Sequence, residues 1–553
     1  MSDRNVSRPN VMIILNDDMG FSDIGCFGGE VDTPNLNRLA ANGLRYSQFY
    51  NTARCSPSRA SLLTGLHPHQ TGIGILTYSS GPEGYAGDLN RRCVTIAEVL
   101  KQSGYKTYMS GKWHVTNSAT EPSHSWPLQR GFDEFFGTIM GAGSFYNPNT
   151  LTRGNDNVDH EAERDQNFFY TDAISDHAAG CIRAHREQNS HQPFFQYVAY
   201  TAPHWPLHAH EEDIAKYRGR FDAGWDRLRE ERMSRLVREG IIHPSSRLTD
   251  RDPTQPPWPE AADREWLLRC MEVYAAQIDR MDQGIGRILK ALEETGQLDN
   301  TLLLFLSDNG GSAEDIPMGI SARELVEELM IAKATTRAGE PVRFGNDPNL
   351  MPGGEDTYQS YGTAWANLSN APFRLYKHWV HEGGIATPLV VHWPAGIESR
   401  GEIRHNPGQL PDIMATIVEA TGATYPRRYG NNDIPPCEGE SLVASFRTDE
   451  SERGPLFWEH EGNAAVRMGK WKLVRKYPGE WELYDMGIDR TEMQDLAPQY
   501  PDRVCEMRMS YEAWAERCGV IPREKILEMM KAEGATAFWE EEEEKEEDGA
   551  LVL

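Results

Sequence analysis

Asn10 to Gly20 reads NVMIILNDDMG: five consecutive apolar residues, Val11 to Leu15, followed at once by Asn16, Asp17 and Asp18. An apolar run this short, closed by turn formers, predicts a strand buried on both faces, as in the centre of a parallel sheet. The same pattern recurs in YKTYMS (Tyr105–Ser110), FFQYVAY (Phe194–Tyr200), TLLLFLS (Thr301–Ser307) and PLVVHW (Pro388–Trp393). Helical patterns lie between them. TPNLNRLAANG has Thr33 as N-cap, Pro34 in the first turn and Gly43 as stop, and CMEVYAAQIDRMDQGIGRILKALEETG repeats apolar residues three and four apart. Strands alternating with helices predict a doubly wound α/β sheet.

The chain has 553 residues, well past the roughly 250–300 at which one core stops growing. An α/β domain over 1–424 is expected, with polar stretches near 211–263 and 311–361 read as insertions rather than core. Short aromatic-rich runs, WKLVRKY (Trp471–Tyr477) and WELYDM (Trp481–Met486), predict a small antiparallel sheet in a subdomain over 425–538. The segment 539–553 contains EEEEEKEED and reads as a solvated, disordered acidic tail.

A formal net charge of −27 disfavours nucleic acid and anionic membrane as partners. The eight cysteines show no C-x-x-C spacing, so reduced thiols are expected rather than a zinc cluster or disulfide scaffold. No segment approaches the roughly 18 apolar residues of a membrane span. The apolar run near the N-terminus is too short for a secretory signal, so a cytoplasmic location is the expectation.

In a parallel sheet the loops leaving the carboxyl ends of the strands share one edge, and ligands bind there. Asn16, Asp17 and Asp18 leave the first strand at that edge, and Asp308 and Asn309 leave TLLLFLS, so oxygen ligands suited to Ca²⁺ or Mg²⁺ converge. Lys112 and His114 (in SGKWH) and His204 (in TAPHWP) also follow strands, while Lys377 precedes a Gly-rich turn. Together with Arg59 they would bind an oxyanion despite the acidic whole. Cys55 opens CSPSRASLLTG with Pro57 placed for a helical first turn. Its C-x-x-x-R spacing is too short for a thiolate phosphatase loop. A soft thiolate beside a hard cation is also a poor match, which an oxygen at this position would resolve.

CSPSRASLLTG (Cys55–Gly65) resembles the signature C-x-P-S-R-x-x-x-L-T-G of the type I sulfatases, within the alkaline phosphatase superfamily. The resemblance extends from about Pro9 to Pro522 and is closest to bacterial arylsulfatases, through GKWH, TAPHWPLHA, LSDNG and APFRLYKHWVHEGGIATP. It implies a large mixed, mostly parallel sheet flanked by helices, with a smaller C-terminal antiparallel sheet, and hydrolysis of a small-molecule sulfate ester. It also implies that Cys55 is oxidised to formylglycine by a maturating enzyme, and that one Ca²⁺ is held by Asp17, Asp18, Asp308, Asn309 and the modified Cys55. Arg59 would hold the formylglycine hydroxyl, with Lys112, His114, His204 and Lys377 binding sulfate or moving protons. A phosphate or phosphonate ester hydrolase of the same superfamily, and a silent anion-binding homologue, are the alternatives.

Overall fold

A computed structural model of the chain describes residues 8–78, 81–189, 191–320, 323–449 and 453–532; the acidic tail lies outside them. Read across, its large sheet runs Glu402–Arg404, Leu44–Tyr50, Ala386–His392, Thr301–Ser307, Asn10–Asn16, Phe194–Ala199, Lys106–Gly111, Glu134–Thr138, Leu151–Arg153 and Asp156–Asn157. Strands Thr301–Ser307 to Glu134–Thr138 are mutually parallel. All five apolar runs form strands, with ends within two residues of those expected. Leu44–Tyr50, LRYSQFY, was not among them, because its polar residues break the apolar run that marks the others.

Alternation along the first strand divides the core. Met12 and Ile14 face helices Pro34–Ala41, Tyr170–Gln188 and Arg264–Glu294, whereas Val11, Ile13 and Leu15 face helices Cys55–Thr64, Ile96–Gln102 and Pro411–Thr421. Each such buried side chain contributes about 1.5–3 kcal/mol relative to exposure, so the central strands are held rigidly and their ends are well placed. The register pairs Leu15 with Leu306 and Asn16 with Ser307. The acidic residues after these two strands therefore emerge side by side.

One strand is reversed. Ala386–His392 runs antiparallel to both Thr301–Ser307 and Leu44–Tyr50, so it begins at the edge where its neighbours end. That reversal brings residues preceding it, Lys377 among them, to the same edge.

The 211–263 stretch, expected outside the core, packs into it. Tyr217, Phe221, Trp225 and Trp258 are buried, and the Trp225 ring sits 4.7 Å from Trp258 and 5.3 Å from Trp365. Its polar sequence misled because a buried cation, Arg232, is neutralised by Asp23 (2.8 Å) and Glu30 (2.7 Å). In the 311–361 stretch, Ile316, Leu325, Ala332 and Tyr358 cluster around Trp205.

Toward the C-terminus, Leu456–His460, Asn463–Met468, Trp471–Arg475 and Glu482–Asp485 form a four-stranded antiparallel sheet. Helix Pro501–Cys518 covers it through Met507, Tyr511 and Trp514. The sheet is tied to the main body by a buried network in which Lys472 bridges Glu382 (3.0 Å) and Glu492 (2.8 Å). All eight cysteines are free, and among the described residues no helix is long and apolar enough to cross a membrane.

Gly111 ends its strand at φ 110°, and a Cβ there would lie 1.9 Å from the Ala199 carbonyl oxygen of the neighbouring strand. Gly111→Ala should destabilise the fold by about 1–3 kcal/mol or more through overpacking and strain, read as a lower urea midpoint at unchanged m-value.

Candidate active site

Every residue singled out from the sequence reaches the carboxyl edge of the sheet. Asp17 and Asp18 follow the first strand, Asp308 and Asn309 its neighbour, Lys112 and His114 the strand Lys106–Gly111, and His204 the strand Phe194–Ala199. Leu44–Tyr50 leads through Asn51–Arg54 into helix Cys55–Thr64, of which Cys55 is the first residue and Arg59 lies one turn on. Asp18 (φ 61°), Ala53 (φ 65°) and His114 (φ 54°) sit in the left-handed region. Such strain persists only where surrounding structure enforces it, and it clusters at functional sites.

The charges interlock. Lys112 Nζ lies 2.5 Å from Asp17 Oδ2, and Arg59 Nη2 lies 2.8 Å from Asp308 Oδ2 and 3.5 Å from Asp17 Oδ2. On the other side Lys377 Nζ donates to Asp18 Oδ2 (3.0 Å) and Glu314 Oε2 (2.9 Å) and lies 3.4 Å from His204 Nε2. Cys55 Sγ is 3.5 Å from His114 Nδ1. Burial alone would raise the Asp17 carboxyl, but Lys112, His204 and Arg59 outweigh it and hold the group well below the usual range. Burial, then the Asp17 charge, pushes Asp308 up to about 8. Burial raises the Cys55 thiol, opposed by Lys112 and Lys377. Burial, reinforced by Lys112 and Arg59, holds His114 far below an ordinary histidine. His204 is lowered by burial against the pull of Asp18.

The donor set fits a hard divalent cation. Asp17 Oδ1 and Asn309 Oδ1 are buried and make no hydrogen bond. The Asn309 amide nitrogen donates to Asp18 Oδ1 (2.6 Å) and Gly310 O (2.9 Å), which leaves its oxygen as the unsatisfied acceptor. Two orphaned oxygens on adjacent strand ends, beside the carboxylates of Asp18 and Asp308, are a costly arrangement for a protein interior and a suitable one for Ca²⁺ or Mg²⁺.

Two site residues carried no sequence signal. Glu314, inside the stretch read as an insertion, is buried and accepts from Lys377, Trp205 Nε1 (2.9 Å) and Ser312 Oγ (3.0 Å), and its other oxygen pairs with Arg54 at 2.9 Å. A lone Glu in an acidic segment and an Arg before the CSPSR motif look like surface charges, and only the fold reveals their burial. Aromatic residues near the site belong to the core. Trp365 is fully buried among tryptophans, Tyr361 stacks on Tyr274 at 4.4 Å, and Trp113 Nε1 donates to Ser125 O.

With this geometry in view, sequence comparison is decisive: a family model described as Sulfatase matches residues 9–423. The chain belongs to the sulfatase family. A second model, N-sulphoglucosamine sulphohydrolase C-terminal, matches residues 373–513. This sulfatase is 34% identical over 461 residues to an arylsulfatase of Klebsiella aerogenes, covering 79% of this chain and 92% of the relative. It is 32% identical over 552 residues to an uncharacterized sulfatase of Schizosaccharomyces pombe, covering 93% and 94%. The fold is shared with the PsFucS1 sulfatase from Pseudoalteromonas sp. (TM-score 0.57, 19% identity, 95% of this chain and 91% of that one). It is a type I sulfatase of the alkaline phosphatase-like superfamily, a family that hydrolyses sulfate esters and generally uses formylglycine and a divalent metal.

With its pKa raised to about 8, Asp308 would carry a proton at pH 7 and give it up if it serves as a metal ligand. Metal binding at pH 7 should therefore release about one proton. Calorimetric titrations with Ca²⁺ in buffers of different ionisation enthalpy should show it, and the release should vanish above pH 9. Asn309→Ala should weaken binding at least about 10-fold, measured in the same titration.

Proposed function

We propose that this sulfatase hydrolyses sulfate monoesters of the aryl type, with residue 55 as formylglycine and one Ca²⁺ held by Asp17, Asp18, Asp308 and Asn309. The observation that carries the reading is the ring of buried cations and histidines around the first residue of helix Cys55–Thr64, next to orphaned oxygens. Similarity to an arylsulfatase supports the aryl assignment. When present, the hydrated formylglycine supplies two oxygens on one carbon, and the cation supplies charge that acidifies a hydroxyl and draws sulfate oxygens.

The chain's own residues divide the remaining work. Arg59, held between Asp308 and Asp17, presents its fixed charge beneath residue 55. Lys112, fastened to Asp17, offsets negative charge on the sulfate oxygens. His114, kept neutral by burial and by its cationic neighbours, has a ring nitrogen in reach of residue 55 and accepts a proton from it.

At the departing oxygen, Lys377 supplies a proton. Burial would strip that proton from an isolated lysine, but Asp18 and Glu314 outweigh burial and keep the group charged. His204 donates Nδ1–H to Trp205 O at 2.6 Å, which fixes its tautomer and turns the Nε2 lone pair toward Lys377. The proton passes from Lys377, directly or through His204, to the leaving group.

All ten residues of helix Cys55–Thr64 are buried, so the proposed maturating enzyme oxidises Cys55 before the chain closes over it. Mass spectrometry of the peptide spanning Ala53–Arg59 tests this directly, since the aldehyde form is lighter than the thiol. Matched aryl sulfate, phosphate and phosphonate esters test the substrate. A larger kcat/KM for either phosphorus ester would replace the sulfatase reading. Lys377→Ala should lower kcat about 10²–10⁴-fold for a simple alkyl sulfate, and much less for nitrophenyl sulfate, whose phenolate leaves without a proton. Equal losses would remove Lys377 from that role.

A further inference from the structure

A second polar cluster adjoins the site and has no part in the chemistry above. The first hairpin of the C-terminal sheet turns through Glu461 (φ 50°) and Gly462 (φ 85°), between paired residues His460 and Asn463. Two positive φ values define a type I′ turn, which favours Asn, Asp or Gly at its first central position. A glutamate there is held at a cost. The turn sits against the site: His378 follows Lys377, its N–H donates to Ala53 O at 2.7 Å, and its ring lies 5.4 Å from His460. Arg54, between Ala53 and Cys55, is the charge shared by both clusters. Its guanidinium pairs with Glu314, and its field acts on Glu461 and His460.

His460 is fully buried, yet neither ring nitrogen has a hydrogen-bond partner, and the buried Arg54 Nε has none. Burial holds the His460 ring neutral, so it offers one donor and one acceptor. Its Nε2 lies 3.8 Å from Glu461 Oε1, too far for a direct bond. An oxygen seated between them could lie about 2.8 Å from each. Glu461 and His378 retain 7% exposure, whereas the deeper His460 has none.

The three ligand-bearing side chains are also close enough for a metal ion, but the charges oppose one. Glu461 already pairs with Arg523 at 3.2 Å, and Arg54 adds a second cation. Asn463 Oδ1 accepts from the Tyr477 N–H, which turns its amide nitrogen toward His378 Nε2 at 3.4 Å and leaves the His378 proton on Nδ1, facing Glu461. A neutral group that both donates and accepts matches what is left.

We propose that His460 and Glu461 form a subsite for a hydroxyl group on the alcohol or phenol part of the sulfate ester, so that a leaving group carrying a further hydroxyl is preferred over an apolar one of the same skeleton. This rests on the sulfate ester hydrolysis proposed above. An apolar leaving group would cover these polar atoms without satisfying them, and that penalty is the source of discrimination.

The test compares esters of equal intrinsic reactivity: monosaccharide 6-sulfates against cyclohexylmethyl sulfate, the same skeleton without hydroxyls. The matured, Ca²⁺-loaded enzyme should favour at least one sugar ester by about 10-fold or more in kcat/KM, chiefly through KM. His460→Phe, which keeps an aromatic ring against His378, and Glu461→Gln, which keeps the turn, should each reduce that preference about 10–100-fold. An unchanged ratio in both variants, or a wild type that prefers cyclohexylmethyl sulfate, overturns the subsite. A second metal ion per chain by elemental analysis, lost in His460→Phe, would overturn it in favour of a metal. If nitrophenyl sulfate is hydrolysed and these patterns fail, the subsite alone is wrong. If no sulfate ester is hydrolysed, the proposed function falls and the subsite with it.

Discussion

Three carboxylates and an amide oxygen crowd one dry edge of the sheet, and most of what surrounds them makes that crowding tolerable. Asp17, Asp18 and Asp308 are essentially fully buried, and ionised carboxylates in such surroundings cost several kcal/mol each unless countered. Lys112 and Arg59 counter Asp17 and Lys377 counters Asp18, each from a different element of the fold, while Asp308 is raised to about 8 despite Arg59. The arrangement is not fully satisfied even so, since Asp17 Oδ1 and Asn309 Oδ1 have no partner. A stable protein rarely leaves such atoms buried for nothing. The idle oxygens suit a cation, while the buried ammonium and guanidinium groups beside them suit an anion. A metal-assisted sulfate pocket needs both.

Sheet topology lets distant segments share that pocket. Parallel strands alone would bring Asp17, Lys112, His204 and Asp308 together, because their loops leave the same edge. Lys377 arrives by another route: the strand after it runs backwards, so the chain reaches the catalytic edge before that strand begins rather than after it ends. The C-terminal sheet then closes the remaining side, anchored by Lys472 between Glu382 and Glu492. Its hairpin places His460 and Glu461 beside Arg54. The hairpin of the C-terminal sheet and the edge of the large sheet are therefore neighbours through His378.

How much of this the sequence disclosed follows from how locally each feature is encoded. Central strands were legible because burial on both faces demands continuous apolar runs, and the acidic and basic residues stood directly after them. Leu44–Tyr50 was not, because its neighbours on the edge side are short and its polar residues are tolerated there. The stretch 211–263 looked peripheral because Arg232 reads as a surface charge until Asp23 and Glu30, some 200 positions away, are seen to enclose it. Glu314, Arg54 and His460 share that difficulty. Their significance lies in burial and in partners far along the chain, and neither leaves a local pattern.

The two clusters differ in the physics they use. Around sulfate, the proposed recognition is by fixed full charges in a low-dielectric pocket, where they interact strongly and need no reorganisation during reaction. That chemistry is indifferent to what the sulfate was attached to, because every sulfate monoester presents the same oxygens. Around the leaving group an added net charge would disturb the balance that keeps Lys377 protonated, since Arg54 links Glu314 to the hairpin cluster. In the proposed subsite discrimination comes from buried hydrogen-bonding groups, with the Glu461 charge already offset by Arg523 and Arg54, whose burial is costly until the right partner arrives. His460, buried, unpartnered on both ring nitrogens and set directly before the strained Glu461–Gly462 turn, is such a group.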